Sequence, residues 1–469
     1  MEPGNASAQR RVSRQCFGIG YWPAPCVLAA FVVLAAACTS GGAGPPTTRD
    51  DSIGPSVVAG STIEPLPDGV SASVPDSDGD GGAWHVDTSA CPADVTAPIA
   101  GTLVVGSVAP QTGGLISAVY APVIKGFQAY IDMADEQQLL GDVGLDLVVA
   151  DDQGDPALTP VAVGGLLAAG TSVVSGIIGS ADNLAVRSQL NAACMPQLMA
   201  LGTSARFGDV TATPWTVGAL VPVTVETTVY VNSIVRLQGE NARVALLVTD
   251  DGDGQTFANS FTSAAGDTSI TVIGQQAVEP NVIDPPNRQL LEIASTKPDT
   301  IVASLTGAGC ATFLTELAKV RAALGDWNPT VYMSGGCADP SILSLAGPAA
   351  DGVLTSSNLR TDDPTFVGAM AAAGVSNGLA AAAEGWTAAE VTVAILRQAQ
   401  QSSAGLTRAS IIDAARALSY TPSLARPGVQ YTTNGLDDAF PAESLQVIRY
   451  DAAAHAFSDI GPLVAQFES

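Results

Sequence analysis

Basic residues and histidine are scarce in this 469-residue chain. It contains 19 Lys+Arg against 45 Asp+Glu, for a formal net charge of −26, and only 2 His. The acidic balance argues against a nucleic-acid-binding protein, because such proteins need basic patches to neutralise phosphate. The two histidines, His85 and His455, leave little scope for a histidine-rich metal site or a histidine-based catalytic triad. We therefore expect a protein that is not an enzyme and that holds no metal and no cofactor.

Charged residues of either sign make up only 14% of the chain, whereas hydrophobic residues make up 47%. This much apolar material is enough for at least two hydrophobic cores, and it excludes wholesale disorder. The length by itself predicts two or three domains.

Residues 1–37 have the layout of an export signal. A basic start with three arginines at residues 10–14 precedes the apolar run Val27–Ala37, whose 11 residues are too few to span a bilayer. Three alanines then precede Cys38, as in a bacterial lipobox, although the leucine usually found three residues before the cysteine lies four before it. We predict a lipoprotein signal peptide and a lipidated Cys38 that anchors the protein to the outer face of the cell membrane. Simple cleavage is the alternative.

Residues 38–98 are rich in Pro, Gly and Asp and show no sustained apolar periodicity, which predicts a disordered tether. Within it, residues 76–81 (DSDGDG) resemble the opening of a calcium loop, and Asp87 falls at the twelfth position. The segment lacks flanking helices and has Asp where Glu is usual. We therefore interpret it as a solvated acidic linker, with calcium binding as the alternative.

From residue 99 onward, apolar strands alternate with alanine-rich helices, and this alternation indicates βαβ units with parallel sheets. Asp155-Pro156 is predicted to begin one helix, with an acceptor side chain at the N-cap and a proline at the first helical position. The first series of predicted strands covers residues 102–109, 145–150, 174–179 and 195–201. A second series follows Pro222, at residues 243–249, 269–274, 299–305 and 330–333.

The two series predict an α/β protein with two Rossmann-like lobes, each a mainly parallel sheet with helices on both faces. Lobe 1 is expected to comprise residues 99–218 plus 358–427, and lobe 2 residues 219–357 plus 428–469. The chain would cross between the lobes near residues 215–219, 351–358 and 428. A three-crossing hinge is typical of proteins that close over a ligand in the cleft between two lobes.

Four segments of the chain together resemble a known family. They are Gly106–Gly113 (GSVAPQTG), Val148–Pro156 (VVADDQGDP), Ile177–Ser180 (IIGS) and Ala245–Gln255 (ALLVTDDGDGQ). Their order and spacing are similar to those of type 1 periplasmic binding proteins of the branched-chain-amino-acid (Leu/Ile/Val-binding-like) class. The resemblance covers roughly residues 99–460.

This resemblance implies an extracytoplasmic solute-binding receptor that delivers its solute to ABC permease subunits. Such a receptor closes on a small polar solute, for example an amino acid, an amide or a related carboxylate. The alternative is a ligand-sensing or surface interaction lipoprotein with the same fold and no transporter. Genes for a permease and an ATPase beside this one would favour transport, whereas a neighbouring kinase or regulator would favour sensing.

Ligands of open parallel sheets bind beyond the carboxyl ends of the strands, where helix N-termini present unpaired N–H groups. The resemblance places Asn183 where a serine binds the ligand carboxylate, and it places Gly202 and Ser204 where backbone and hydroxyl groups bind. Tyr120 lies near a further aromatic that contacts the ligand. The predicted ligand-binding residues are Gln111, Thr112, Tyr120, Ser180, Asn183, Gly202, Thr203, Ser204, Asp253 and Thr306.

Two positions depart from the leucine-binding members of that family. Asp253 stands where those proteins have an aromatic residue, and the glutamate that pairs with the ligand amine aligns near Gly336, so that acid is missing. Asp253 would supply the missing negative charge from another direction if it faces the ligand. The alternative is an ordinary solvated acid.

Four cysteines remain when the signal peptide and the lipidated cysteine are set aside: Cys91, Cys194, Cys310 and Cys337. Cys310 and Cys337 each follow a neighbouring strand of the second lobe, and Cys91 and Cys194 each precede a strand of the first. We predict the disulfides Cys91–Cys194 and Cys310–Cys337, which are the most economical of the three possible pairings in an oxidising compartment. Free buried thiols are the alternative.

Overall fold

The computed structural model describes residues 84–239, 241–280 and 284–467, which belong to one unit spanning residues 78–469. The predicted signal peptide, the lipidation at Cys38, most of the tether and the calcium-like residues 76–81 lie outside the described residues.

The first sheet is wholly parallel, with strand order β2-β1-β3-β4-β5. Its strands are β1 (Thr102–Ala109), β2 (Gly144–Asp151), β3 (Val173–Ser175), β4 (Gln197–Ala200) and β5 (Thr216–Gly218). Its connecting helices are α1 (Leu115–Glu136), α2 (Thr159–Ala168) and α3 (Ser180–Ala192). Long apolar runs form β1 and β4 because both faces of these strands are covered.

The second series of strands and helices follows Gly218. Its helices are α4 (Val223–Gln238), α5 (Gly252–Gly266), α6 (Asn287–Thr296), α7 (Ala308–Leu324) and the short α8 (Pro340–Leu343). Its strands are β6 (Arg243–Thr249), β7 (Thr271–Val278), β8 (Thr300–Ala303), β9 (Thr330–Met333) and β10 (Leu354–Ser357).

The rest of the chain serves both lobes. The helices α9 (Pro364–Ala372), α10 (Leu379–Gln400) and α11 (Arg408–Ala415) are followed by the hairpin β11 (Ser419–Tyr420) and β12 (Tyr431–Thr432), and then by β13 (Gln446–Asp451) and β14 (Ala456–Asp459). The second sheet has the order β14-β13-β10-β9-β8-β6-β7, and only its pairings to β13 are antiparallel. Two mainly parallel sheets with helices on both faces confirm the predicted α/β fold.

The long helix α10 lies largely inside the core of the first lobe. Among the described residues it is the one helix long and apolar enough to cross a membrane, yet 72% of its apolar window is buried inside the protein. It crosses α1 at two glycines, Gly126 and Gly385, which bring the two helix backbones into direct contact. This crossing fixes the position of α10 relative to the first turns of α1.

Some predicted element boundaries were wrong. The helix predicted to begin at Asp155-Pro156 begins at Thr159, because Asp155 closes a separate turn by accepting the N–H of Ala157 at 2.9 Å. The strand predicted over residues 174–179 ends at Ser175, where Gly176 takes a positive φ of 70°. The edge strand β7 runs to Val278 rather than to residue 274.

The predicted end of the tether at residue 98 was wrong. The N–H of Val86 donates to Asp413 Oδ1 at 2.8 Å, and His85 Nδ1 lies 2.9 Å from Asp413 Oδ2. The N–H of Ile99 donates to the carbonyl of Leu406 at 2.8 Å. Residues 84–98 are therefore packed on the α11 side of the first lobe. Composition missed this because the contacts that hold the segment to the lobe are distant in sequence.

The third crossing also lies later than predicted. Arg416 donates to the carbonyl of Ala439 at 3.3 Å, and Phe440 packs against Gly208 of the first lobe. The chain joins the second sheet only at Gln446. The lobe boundary predicted at residue 428 is therefore wrong, because the β11–β12 hairpin and the following loop still pack on lobe 1.

Candidate functional site

The segments that follow the carboxyl ends of strands in the two lobes meet across a cleft. A Cβ added to Gly307, just after β8, would lie 3.3 Å from Cγ2 of Val119 on α1. The first turns of α3 and α5, which follow β3 and β6, also approach each other. The carboxyl edges of the two sheets thus face one another, as in proteins that bind a ligand between lobes.

The first contact across the cleft joins α3 and α5. The hydroxyl of Ser180 faces the carboxylate of Asp253 and lowers its pKa by hydrogen bonding, but the larger effects of burial and of the Asp251 charge raise the pKa of Asp253 overall. Ser180 Oγ also accepts the N–H of Thr203 at 3.2 Å. Asp253 itself is exposed, so this carboxylate of lobe 2 lies near the N-terminal end of a lobe 1 helix and remains open to solvent.

The second contact joins lobe 2 to the N-terminus of α10. Asp339, which is 3% exposed, accepts the N–H of Ala380 through Oδ2 at 3.1 Å. Ser341 Oγ accepts the N–H of Gly378 at 3.1 Å. Because the N-cap residue of α10 is a glycine with no side-chain acceptor, these two groups of the opposite lobe satisfy the helix end.

Tyr120 and Glu384 lie between these two contacts. Burial raises the pKa of Tyr120 to about 12, with further contributions from the charges of Glu384, then Asp253 and the acids nearby. Burial raises the pKa of Glu384 to about 7, and the charge of Asp339 adds to the effect. Tyr120 and Glu384 are both partly buried, and the acids around them give this part of the cleft a negative charge.

A further acid lies at the end of β9. Glu226, in the first turn of α4, is 8% exposed and accepts the N–H of Gly335 at 2.6 Å and the hydroxyl of Tyr230 at 2.9 Å, both through Oε1. Burial raises its pKa. The sequence indicated that an acid near Gly336 was missing. The structure places a carboxylate beside that position, but it comes from a helix distant in sequence.

A profile of the family described as periplasmic binding protein matches residues 102–454. This chain belongs to the periplasmic binding protein family. A search of curated proteins gave no match.

Solved structures share the fold of this periplasmic binding protein at low sequence identity. A branched-chain amino acid ABC transporter protein from Thermus thermophilus with bound valine has 18% identity and a TM-score of 0.69, covering 78% of this chain and 97% of its own. A possible leucine/isoleucine/valine-binding protein from Rhodopirellula baltica has 16% identity and a TM-score of 0.65, covering 79% and 98%. A solute-binding protein from R. palustris in complex with benzoate has 19% identity and a TM-score of 0.64, covering 78% and 98%.

Several residues predicted from sequence to bind ligand in this periplasmic binding protein are brought together. Tyr120, Ser180 and Asp253 share one region of the cleft. Thr203 joins them through its N–H, and its carbonyl accepts the N–H of Val223 at the start of lobe 2. Gly202 packs directly on Ser180, where a side chain would clash with backbone.

Asn183, in contrast, is buried inside lobe 1 and does not face the cleft. It has no exposed surface, and its amide donates to the carbonyls of Ile177 at 2.7 Å and Gly179 at 2.8 Å. Its Oδ1 accepts a hydrogen bond from Gln197 at 2.9 Å. The Asn183 side chain thus holds the β3–α3 connection and has no group left for a solute.

The remaining predicted residues occupy the rim. Gln111 and Thr112 are exposed, and their N–H groups and the Thr112 hydroxyl donate to Asp151, which lowers the pKa of that carboxyl. Ser204 caps a short turn by accepting the N–H of Arg206 at 3.3 Å. Thr306 is exposed and lies beside Gly336.

The predicted disulfides are confirmed. Cys91 pairs with Cys194 and Cys310 with Cys337. The first joins the segment before β1 to the first lobe, and the second joins the loops after β8 and β9 in the second lobe. Within the described ranges, no group of three or more His, Cys, Asp or Glu side chains is arranged to hold a metal ion.

Proposed function

We propose that this periplasmic binding protein is the extracytoplasmic solute receptor of an ABC importer. The observation that supports this most directly is that the carboxyl edges of the two sheets face each other. Tyr120 is partly buried between them, and Asp339 of lobe 2 accepts the N–H of Ala380 of lobe 1. A solute in this cleft contacts both lobes only when they are closed. Binding therefore favours the closed form by the difference in affinity between the two forms.

The relatives support a small organic solute. The proteins from T. thermophilus and R. palustris hold valine and benzoate, respectively. We infer that this chain also takes a small polar molecule and presents its closed form to permease subunits. The residues proposed to contact it are Tyr120, Ser180, Thr203, Asp253 and Thr306, together with the backbone of Gly202. We propose no catalytic role for the cleft.

A thermal-shift screen of the full chain in detergent solution tests the receptor function. Amino acids, amides, amines, short carboxylates and aromatic acids form the panel. A binder raises the melting temperature in proportion to the logarithm of its concentration, with a stabilisation of about 2.7 kcal/mol at 100 Kd. If no compound in any class shifts the transition, solute capture is rejected.

We also propose that Cys38 carries a lipid that holds the receptor at the outer face of the cell membrane. Metabolic labelling with a fatty-acid analogue should mark the chain and fail to mark a Cys38→Ser variant. An unlabelled parent chain released into the medium would support simple cleavage of the signal instead.

A further inference from the structure

A buried arginine, Arg416, lies where two of the three crossings leave the first lobe. It directly follows α11 and is 1% exposed. Its Nη2 donates to the carbonyl of Thr216 and, at 3.5 Å, to that of Pro214, and its Nη1 donates to the carbonyl of Ala439 at 3.3 Å. Thr216 begins β5, the last strand before the first crossing, and Ala439 precedes the third crossing. One side chain therefore binds the backbone of two segments that are distant in sequence.

The guanidinium of Arg416 depends on these carbonyls. A buried positive charge is costly unless its N–H groups find acceptors. The three acceptors are backbone carbonyls, which carry no full negative charge, and burial lowers the pKa of Arg416 to about 10. Its Nε has no hydrogen-bond partner in the described part of the chain. Moving either segment away from Arg416 would therefore leave further N–H groups of a buried cation without acceptors.

Other contacts attach the same two segments to lobe 1. The ring of Phe440 lies against Gly208 and Gly218, since Cβ atoms added to these glycines would be 2.5 Å and 3.6 Å, respectively, from ring atoms. Thr216 is also held through its side chain, because its hydroxyl donates to Gln197 Oε1 on β4 at 2.9 Å. Both segments therefore belong to lobe 1 up to these residues.

The second crossing is held by a different arginine. Arg426 donates through its N–H to the carbonyl of Asn358 at 2.9 Å and through Nε to the carbonyl of Leu359 at 3.1 Å. It is only partly buried, and its Nη1 forms an ion pair with Asp459 at 2.8 Å. The second crossing therefore offers a comparison within the same molecule, since its contacts do not involve Arg416.

We propose that Arg416 is a positioning residue of the hinge, whose guanidinium holds the ends of the first and third crossings to lobe 1 so that the two segments move as one unit. The bending that opens and closes the lobes then takes place beyond them, at residues 220–222 before α4 and 442–444 before β13. This inference rests on the lobe movement of the proposed receptor, and it names a residue that determines where that movement occurs.

Amide hydrogen exchange of the full chain in detergent solution, without any solute, tests this role. The two held segments are residues 212–219 and 436–441. Arg416→Met removes every side-chain donor, and we expect both held segments to exchange at least about tenfold faster, because local opening no longer exposes a buried charge. Residues 356–362 of the second crossing and the strands β1 and β6 should stay within about threefold of the parent. Arg416→Lys keeps the charge without the planar fork and should give an intermediate rate.

Arg321→Met is the matched control. Arg321 lies on α7, its Nη2 donates to the carbonyl of Pro329 at 2.6 Å, and its Nε also has no hydrogen-bond partner in the described residues. These contacts lie inside lobe 2, so this variant should leave the exchange of both held segments unchanged. Equal acceleration throughout lobe 1 in Arg416→Met would show that Arg416 only adds stability and would overturn the inference. Acceleration of one held segment alone, or of neither, would also overturn it.

If Arg416→Met does not fold, the parent protein provides the test. Exchange at low denaturant concentrations measures the opening free energy of each segment. The two held segments should share one opening free energy and one denaturant dependence, lower than those of β1 and different from those of residues 356–362. Two different values, or values equal to those of β1, overturn the inference. Because no solute is involved, joint opening combined with a failed solute screen rejects the receptor function alone, and the opposite pair of results rejects the role of Arg416 alone.

Discussion

Asp339 of the second lobe caps a helix of the first lobe: its Oδ2 accepts the N–H of Ala380 at 3.1 Å, at the start of α10. The same side chain accepts the N–H of Ser341 through Oδ1 at 2.7 Å, at the start of its own helix α8. One carboxylate therefore satisfies helix ends in both lobes. Since the α10 end has no side-chain acceptor of its own, opening of the lobes returns its N–H groups to water, and the cap favours the closed form.

Removing this cap should shift the ligand-free protein toward an open form. We expect Asp339→Ala to lower the free energy of unfolding by about 0.5–2 kcal/mol, as for other N-caps, and to increase the radius of gyration measured by small-angle scattering. Asp363→Ala is the control, because Asp363 caps α9 within one lobe through the N–H groups of Thr365 and Phe366. It should lower stability similarly without changing the radius. Equal radii for both variants and the parent would contradict the closure role.

The stability of the ligand-free protein should depend on the ionisation of Glu384. Its pKa is raised from 4.5 to about 7, so the folded state binds more protons than the unfolded state between these values. Stability therefore falls as pH rises through this window and levels off above it. Asp182, whose pKa burial raises to about 6, contributes in the same direction.

The variant Glu384→Gln isolates the contribution of Glu384, because glutamine matches the protonated acid. We expect it to be more stable than the parent by about 2 kcal/mol at pH 8 and equally stable near pH 4.5. Thermal unfolding between pH 4.5 and 8 measures the difference, and the flanking groups Tyr120, Asp339 and Asp253 are unchanged in both proteins. A constant difference across that range would show that Glu384 does not titrate there.

The sequence predicted much of the fold, and the reason lies in local patterns. Apolar strands such as β6 recur at regular spacing. Each cysteine flanks a strand, and a parallel sheet places the two members of each pair at the same edge. Asp253 was predicted to face the cleft for the same reason, since it lies in the first turn of α5, the helix that follows β6. All of these depend on residues close together in the chain.

The acids of the cleft were harder to predict. Glu384 lies inside an alanine-rich helix, where its spacing gives no sign of its neighbours, and Glu226 reaches the end of β9 from α4. Both positions depend on how the chain crosses between the lobes. The prediction that Asn183 binds the ligand failed for a different reason. The resemblance gave the position of Asn183 in the chain but could not show that its amide donates to Ile177 and Gly179.

The two disulfides should differ in how much they stabilise the protein. Cys91–Cys194 closes a sequence separation of 103 and Cys310–Cys337 one of 27. If loop-closure entropy dominates, replacing the first pair by serines costs about 4–5 kcal/mol and replacing the second about 3–4 kcal/mol. Denaturant unfolding of the two double-serine variants measures these values. The reverse order would indicate that packing around the bridges outweighs the entropy of the unfolded chain.

Where α1 crosses α10, replacing glycine by alanine should destabilise the protein, although helix propensity alone predicts that it stabilises. Glycine inside a helix is normally less favourable than alanine by about 0.8–1 kcal/mol, so alanine substitution of an exposed helical glycine stabilises. Gly368 in α9 meets this condition, since nothing lies within 4 Å of an added Cβ. At Gly385, an added Cβ would overlap the carbonyl of Val123 on α1. Because backbone cannot rotate away as a side chain can, the helices must separate.

We therefore expect Gly385→Ala to destabilise the protein by about 1–3 kcal/mol, the usual cost of overpacking, while Gly368→Ala stabilises it slightly. Thermal unfolding of the two variants and the parent measures both effects. If Gly385→Ala is as stable as the parent, the two helices accept a side chain at this crossing without separating.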